Sequence, residues 1–410
     1  HLCQSIQINK VFSYRESGAE ASFKRDQLLQ LYFKDQGVDW VEIDKNGVTR
    51  GRKNRQGWDE AWRKKMSAPL APTGPQTWRS INPGLAIELE AEFSTPSHPE
   101  LKHWSGDFQL SNESRALEQL EEFIAREAKG YQAHIGEPDL SRKTCSRLSL
   151  ALAWGHLSIR QVFHRSRQAF DRASNKRDLT AFISRIHWHS HFVQKFEMEH
   201  QMEFRGLNRV LDQVEKPSIK ELQSAWLKGQ TGFPLIDAAM RAVKKTGYLN
   251  FRMRAMVVSF YSYHLWQPWR FGADQLAQFF LDYLPGIHYP QFQMQSGLTG
   301  INTLRVYNPI KQSLEKDPQA IFIKEWVPEL RDLPLNFVHQ PWLMSAMEEG
   351  FYNFKLGRDY PKPVINQDEA GKRARDYYWA MKKNPAVQAE NFRILKRHTT
   401  AIREPDQRTQ

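Results

Sequence analysis

The stretch GQTGFPLIDAAMRAVKKTGYLNFRMRAM (residues 229–256) decides how this chain is read. Pro234 stands where a first helical turn tolerates it and Gly247 where a helix stops, so one helix is bracketed between them. A second is predicted to start near Leu249 and run to Trp266, apolar almost all round, which marks a buried helix. Arg252 and Arg254 nevertheless fall in its first turn, and no Asp or Glu occurs between Asp237 and Asp274. Two residues on a helix turn through about 200°, so the two guanidinium groups point to different sides. A buried arginine needs a carboxylate from elsewhere in the chain, because breaking a buried pair costs roughly 3–5 kcal/mol. Read from these residues alone, two arginines snorkelling at a helix start would fit as well.

The 410 residues suffice for one large or two ordinary domains, and 40% hydrophobic with 25% charged residues is a globular composition. The longest apolar run, AMVVSFYSYHLW (255–266), is too short and polar to span a bilayer. Cys3 and Cys145 cannot form a disulfide framework or an all-cysteine cluster, so a reducing, cytoplasmic or nucleoid-associated location is expected. The net charge of +12 suits an acidic partner. Half of it sits in residues 371–410, where ten Lys/Arg face four Asp/Glu, and such runs are ordinarily solvated faces.

Residues 1–75 read as strand (SIQINKVF), helix (SFKRDQLLQLYFKDQG) and strand (VDWVEID): a partial α/β domain that begins midway, since one such unit cannot cover a parallel sheet. Residues 76–112, with Pro83, Pro96 and Pro99 and little periodicity, read as a linker. From 113 to 400 helix follows helix: ALEQLEEFIAREAKG should close on Gly130, and Ser158/Gln161 and Ser218/Glu221 are candidate capping boxes. Residues 401–410 form a tail. The fold class is mainly α, with a partial α/β N-terminal domain.

Four separated blocks resemble one family, the DNA photolyases and cryptochromes. They are CSRLSLALAWGHLSIRQVFH (145–164), AWLKGQTGFPLIDAAMRAVKKTGYLNFRMRAMVVSF (225–260), PWRFGADQLAQFFLDYLPG (268–286) and LRVYNPIKQSLEKDPQAIFIKEWVPELRDLP (304–334). Residues 16–62 resemble the latter part of the family's antenna domain. The resemblance implies a photolyase-like helical FAD-binding domain, with FAD as cofactor, any antenna pigment unassigned, and a cavity for UV-damaged DNA with its lesion flipped out. A monomer without membrane attachment is expected.

Carried over by resemblance, Arg254 pairs with Asp282 beside the flavin and Arg252 faces the DNA cavity. Tyr131, Cys145, Ser146, Arg147, Leu148 and Ser149 fall at FAD-binding positions, and hydroxyls and amides near a helix start suit a pyrophosphate. Trp188 falls where the family stacks an aromatic on the lesion, and Gln312 where it contacts DNA. The chain also departs from the family. Arg185 replaces a lesion-binding Glu, His189 a phosphate-binding Arg, Phe251 an Asn, Ala255 a Met, Leu284 an Asp, His288 the Asn facing flavin N5, and Met294 a cavity Trp. Of the photoreduction triad Trp269 remains at the middle, Phe292 stands at the flavin-proximal place, and the outer Trp falls in EKPSIK, which has none.

HWHSH (187–191) puts only His187 and His191 on one helical face, two ligands where a structural zinc takes four, so no metal is assigned. His288 is a candidate for titration near neutral pH, or a packed neutral ring. The leading function is light-driven repair of pyrimidine dimers by electron transfer from FAD, a lyase. The alternative is a cryptochrome-like blue-light sensor that keeps FAD without repair, which the altered cavity and triad favour. A DNA-binding module without photochemistry is the third.

Overall fold

The structure, a computed structural model, describes residues 8–71, 74, 82–94, 107–126, 128–174 and 176–400. Cys3, the start of the first predicted strand, most of the predicted linker and the 401–410 tail lie outside these residues. Strands β1 (Lys10–Arg15) and β2 (Asp39–Asp44) pair in parallel, in register from Lys10↔Asp39 to Arg15↔Asp44. Parallel neighbours need a crossover, and helix α1 (Glu20–Asp35) supplies it. Among the described residues the first strand begins at Lys10, with Ile8 and Asn9 outside it. Phe12, Tyr14 and Ile43 are exposed, so this single βαβ unit leaves apolar sheet surface uncovered. Helix α2 (Trp58–Ser67) buries Trp58, Trp62 and Met66, which lead the smaller of two apolar cores.

Within the predicted linker, residues Pro83–Phe93 form helix α3, because Asn82 caps it by accepting from the Gly84 amide at 2.8 Å. Helix α4 (Glu113–Ala125) ends before Gly130. Ala128 already takes the left-handed turn (φ 53°), and Gly130 instead leads into the short helix Tyr131–His134. The Ser158/Gln161 capping box opens helix α5 (Ile159–Arg172) as expected. The Ser218/Glu221 box does not form. Ile219 is the N-cap of helix α7 (Lys220–Lys228), and the Ser218 hydroxyl accepts from Gln223 at 3.0 Å.

Helix α6 (Lys176–Met198) runs between these two helices and is buried on every side from Phe192 to Met198. It ties the α/β part to the helical part: Gln194 bonds the Thr49 amide and carbonyl, and Glu197 pairs with Arg50 at 2.7 Å. The opening stretch folds as read, with α8 (Pro234–Thr246) ending at Gly247 (φ 66°). Asn250 then caps α9 (Phe251–Ser259). The apolar run expected to reach Trp266 as one helix loosens into a π turn at Phe260–His264. Helices α10 (Trp269–Ala277) and α11 (Pro285–Gln295) complete the wall around the larger core. No helix among the described residues is long and apolar enough to cross a membrane.

Candidate functional site

The partner that Arg254 requires is Asp282. The Arg254 Nη2 donates to both carboxylate oxygens at 2.7 Å, and its Nε to the Leu249 carbonyl at 2.9 Å. The Phe280 ring lies 3.9 Å under the guanidinium. Gly247 makes the pairing reachable. The Leu281 amide donates to its carbonyl, and a Cβ at Gly247 would stand 2.3 Å from the Leu281 side chain. Any other residue there would push the Asp282 loop away from α9.

Arg147 lies near this pair. Its guanidinium stacks 3.6 Å over Tyr248 and lies in the fields of Asp282 and Arg254, while its Nε is enclosed with no partner among the described residues. Burial lowers its pKa. Arg147 itself takes φ 55°, so the Cys145–Ser149 stretch turns sharply between two short helices. Ser146 and Leu148 are buried, and Ser149 is exposed. Burial pushes the Cys145 thiol up to about 11, so it is an unreactive neutral group. Tyr131 is buried against Phe123 and Phe182, in electrostatic range of Cys145, Arg185 and Tyr248.

On α6, the His189 Nδ1 is enclosed and also without a partner among the described residues. Burial, with the Lys45 amine adding to it, pushes this imidazole down to about 4, so it is neutral at pH 7. The other histidines of the HWHSH stretch are committed to protein: His187 to Asp59 at 2.8 Å and His191 to Arg55 at 2.9 Å. No group of three His, Cys, Asp or Glu among the described residues is placed to hold a metal.

His288 is buried and bonded to the Ala273 carbonyl at 2.8 Å, and burial pushes its pKa down to about 4. Of the two sequence readings this fits the packed, neutral ring, which lies among Phe280, Tyr283, Tyr289 and Phe292. Phe292 is buried with its centroid 6.4 Å from that of Trp269, whose indole donates to Asp212 at 2.9 Å. Leu284 caps α11, its carbonyl accepting from the Ile287 and His288 amides.

The residues assigned to DNA are partly to fully exposed. Arg185 and Trp188, three apart on α6, are exposed, Trp188 to 44%, and Arg185 lies 6.0 Å over the half-exposed Phe251. Arg252 donates to the Tyr307 hydroxyl at 3.3 Å, leaving its own Nε enclosed and without a partner among the described residues. Gln312 touches Glu315 at 3.4 Å. Met294 borders a small cavity of about 20 Å³ with Tyr263, Gly297 and Tyr378. Sequence reading missed Tyr248 and Phe280, the rings that seat Arg147 and Arg254. Their signal was an aromatic one or two residues from a required turn or carboxylate.

Residues 182–380 match the profile of the FAD binding domain of DNA photolyase. A deoxyribodipyrimidine photo-lyase of Alkalihalophilus pseudofirmus is 26% identical over 73% of this chain and 61% of its own length. Cryptochrome DASH of Synechocystis is 35% identical over 54% of this chain and 45% of its own length. The structure of a class III photolyase from Agrobacterium tumefaciens superposes with a TM-score of 0.76 over 93% of this chain and 81% of that one, at 24% identity, a likeness of fold. Over these spans the chain is similar to the DNA photolyases and cryptochromes. It spans less than two thirds of the length of the first two relatives.

Proposed function

We propose that this chain holds FAD between Tyr131, residues 145–149, His189 and the Arg254–Asp282 pair, and acts with light on DNA carrying pyrimidine dimers. The observation that carries this reading is the set of enclosed nitrogens on Arg147 and His189 that the described residues leave without partners beside a fully formed ion pair. Buried polar groups are ordinarily satisfied, so unspent donors of this kind fit a ligand rich in acceptors, as a pyrophosphate is. The residues present therefore fit the cofactor.

Bound FAD, reduced and excited, supplies the electron that splits the dimer. The chain's own groups bind, orient and exclude water. Arg254, locked by Asp282 and Leu249, offers a fixed charge beside the ring-binding side of the bowl. His288, neutral and held by Ala273, adds shape without charge. Trp188 and Phe251 present exposed rings for stacking on a base, and Arg185 and Arg252 suit the phosphate backbone.

Two measurements on the whole chain test this: an absorption spectrum after reconstitution with FAD, then blue-light repair of an oligonucleotide carrying one thymine dimer. Flavin bands at one FAD per chain and light-dependent repair are expected; a chain that takes up no flavin overturns the reading. The second reading, a light sensor without repair, is favoured by Arg185 on the rim and Phe292 in the wall. Flavin uptake with no repair of any dimer supports it instead.

A further inference from the structure

The candidate site draws on both apolar cores. Leu148, Ala151 and Leu157, around the Cys145–Ser149 stretch, belong to the smaller one. Leu249, Met253 and Phe280, around the Arg254–Asp282 pair, belong to the larger. Asp282 itself lies in the turn between α10 and α11, outside regular structure. Both backbone groups of its neighbour Leu281 are held, and from different sides. The amide donates to the Gly247 carbonyl at 3.1 Å, and the carbonyl accepts from the Trp154 indole at 2.8 Å.

Trp154 is the last residue of the helix Ser149–Trp154, which Gly155 closes at φ 78°. Its side chain is 70% exposed, so burial of the ring supplies little of the reason for its place. The indole bond supplies one, because it crosses from the smaller core to the larger. The helix that Trp154 ends begins at Ser149, where the phosphate-side stretch stops. At 1.5 Å per residue this element is only about 9 Å long. Two other hydrogen bonds make a similar crossing, Asn250 to Ser141 at 3.0 Å and Arg142 to the Tyr248 carbonyl at 3.1 Å. They reach the turn before α9, whereas Trp154 reaches the Asp282 turn itself.

We infer that Trp154 is a positioning residue of the FAD site: through Leu281 it fixes the Asp282 turn at a set spacing from the Cys145–Ser149 stretch. The inference rests on the FAD reading above, in which that stretch takes the pyrophosphate and the Arg254–Asp282 pair faces the ring. Trp154 touches no cofactor in this role. A ligand that must reach both halves of the site feels the spacing, and one that occupies the phosphate side alone does not. The competing role is local, an indole that satisfies one carbonyl and steadies its own helix.

The test uses the whole chain as wild type and as Trp154→Phe, which keeps a ring and removes the N–H. Amide hydrogen exchange of residues 278–284 and thermal melting are followed in the flavin-free proteins. FAD affinity is read by flavin fluorescence and ADP affinity by calorimetry. Loss of one hydrogen bond predicts FAD binding about three- to tenfold weaker in Trp154→Phe. Exchange across 278–284 should quicken, while the melting temperature and the ADP affinity stay as in wild type. Unchanged FAD affinity overturns the inference and leaves the FAD reading standing. So does unaltered exchange, or a loss of FAD and ADP affinity by the same factor. A wild-type chain that takes up no FAD removes both.

Discussion

Asp237 and Arg147 are both enclosed charges in the helical part, and their surroundings differ in one respect. Asp237, fully buried, accepts from the Thr231 amide and hydroxyl at 2.8 and 2.6 Å, the Gly232 amide at 3.0 Å and the Tyr360 hydroxyl. Arg147 rests on the face of Tyr248 with an enclosed nitrogen that the described residues leave without a partner. One charge is saturated by its own chain and serves the fold. The other is pre-positioned and unsaturated, which is the condition of a group awaiting a ligand. The difference separates a charge that the fold itself satisfies from one whose enclosed Nε the described residues leave without a partner.

The largest effect should fall on the saturated side. Asp237→Ala strands four backbone or hydroxyl donors around a buried gap, and roughly 3–5 kcal/mol of stability should go with it. Urea unfolding of the apo-protein checks this, and a loss near zero breaks the comparison. The same contrast extends to tryptophans. Trp58 is buried and bonded, whereas Trp188 is 44% exposed. Trp188→Ala should therefore weaken binding to dimer-containing DNA by about tenfold, the loss of one stacked base, with little change in stability or in undamaged-DNA binding. Equal loss on both DNAs contradicts the stacking role.

A smaller effect is expected from pH. Burial pushes His191 down to about 3 and His264 and His288 to about 4, so each binds a proton less tightly folded than unfolded. Their contribution to stability is present above pH 6.5 and lost as pH falls toward 4. Asp237 and Asp317, raised by burial to about 6, act oppositely, binding protons more tightly in the folded state. With His189 and His398 also pushed down to about 4, the lowered histidines outweigh the two raised acids and give a melting temperature that falls between pH 6.5 and 4.5; a flat or rising profile contradicts this. The smallest effect belongs to Trp269→Phe. With Phe292 between Trp269 and the bowl, flavin photoreduction under a fixed reductant should change little. Near-total loss would mean that Trp269 is still the working donor.

What was legible in the sequence were features carried by local chemistry. Gly247 and Pro234 announced the helix between them, and an arginine without a nearby acid announced a distant partner, which the structure supplies as Asp282, 28 positions on. Less legible were features set by packing across the chain. Gly130 seemed a helix stop, yet Ala128 turns first and Asp178 takes the Gly130 amide from 48 positions away. Ser218 and Glu221 have capping spacing, but Gln267 holds the Ile219 amide and moves the helix start. His288 resembles a switch in sequence and is a buried ring in the fold.

The central claim, that the partnerless enclosed nitrogen of Arg147 serves the cofactor, is tested most directly by titrating FAD into wild type and Arg147→Ala while following the melting of both apo-proteins. The account predicts FAD binding weakened by about 10- to 100-fold in Arg147→Ala, with the apo-protein as stable as wild type within about 1 kcal/mol. Unchanged FAD affinity, or an apo-protein that loses as much stability as Asp237→Ala, would contradict it.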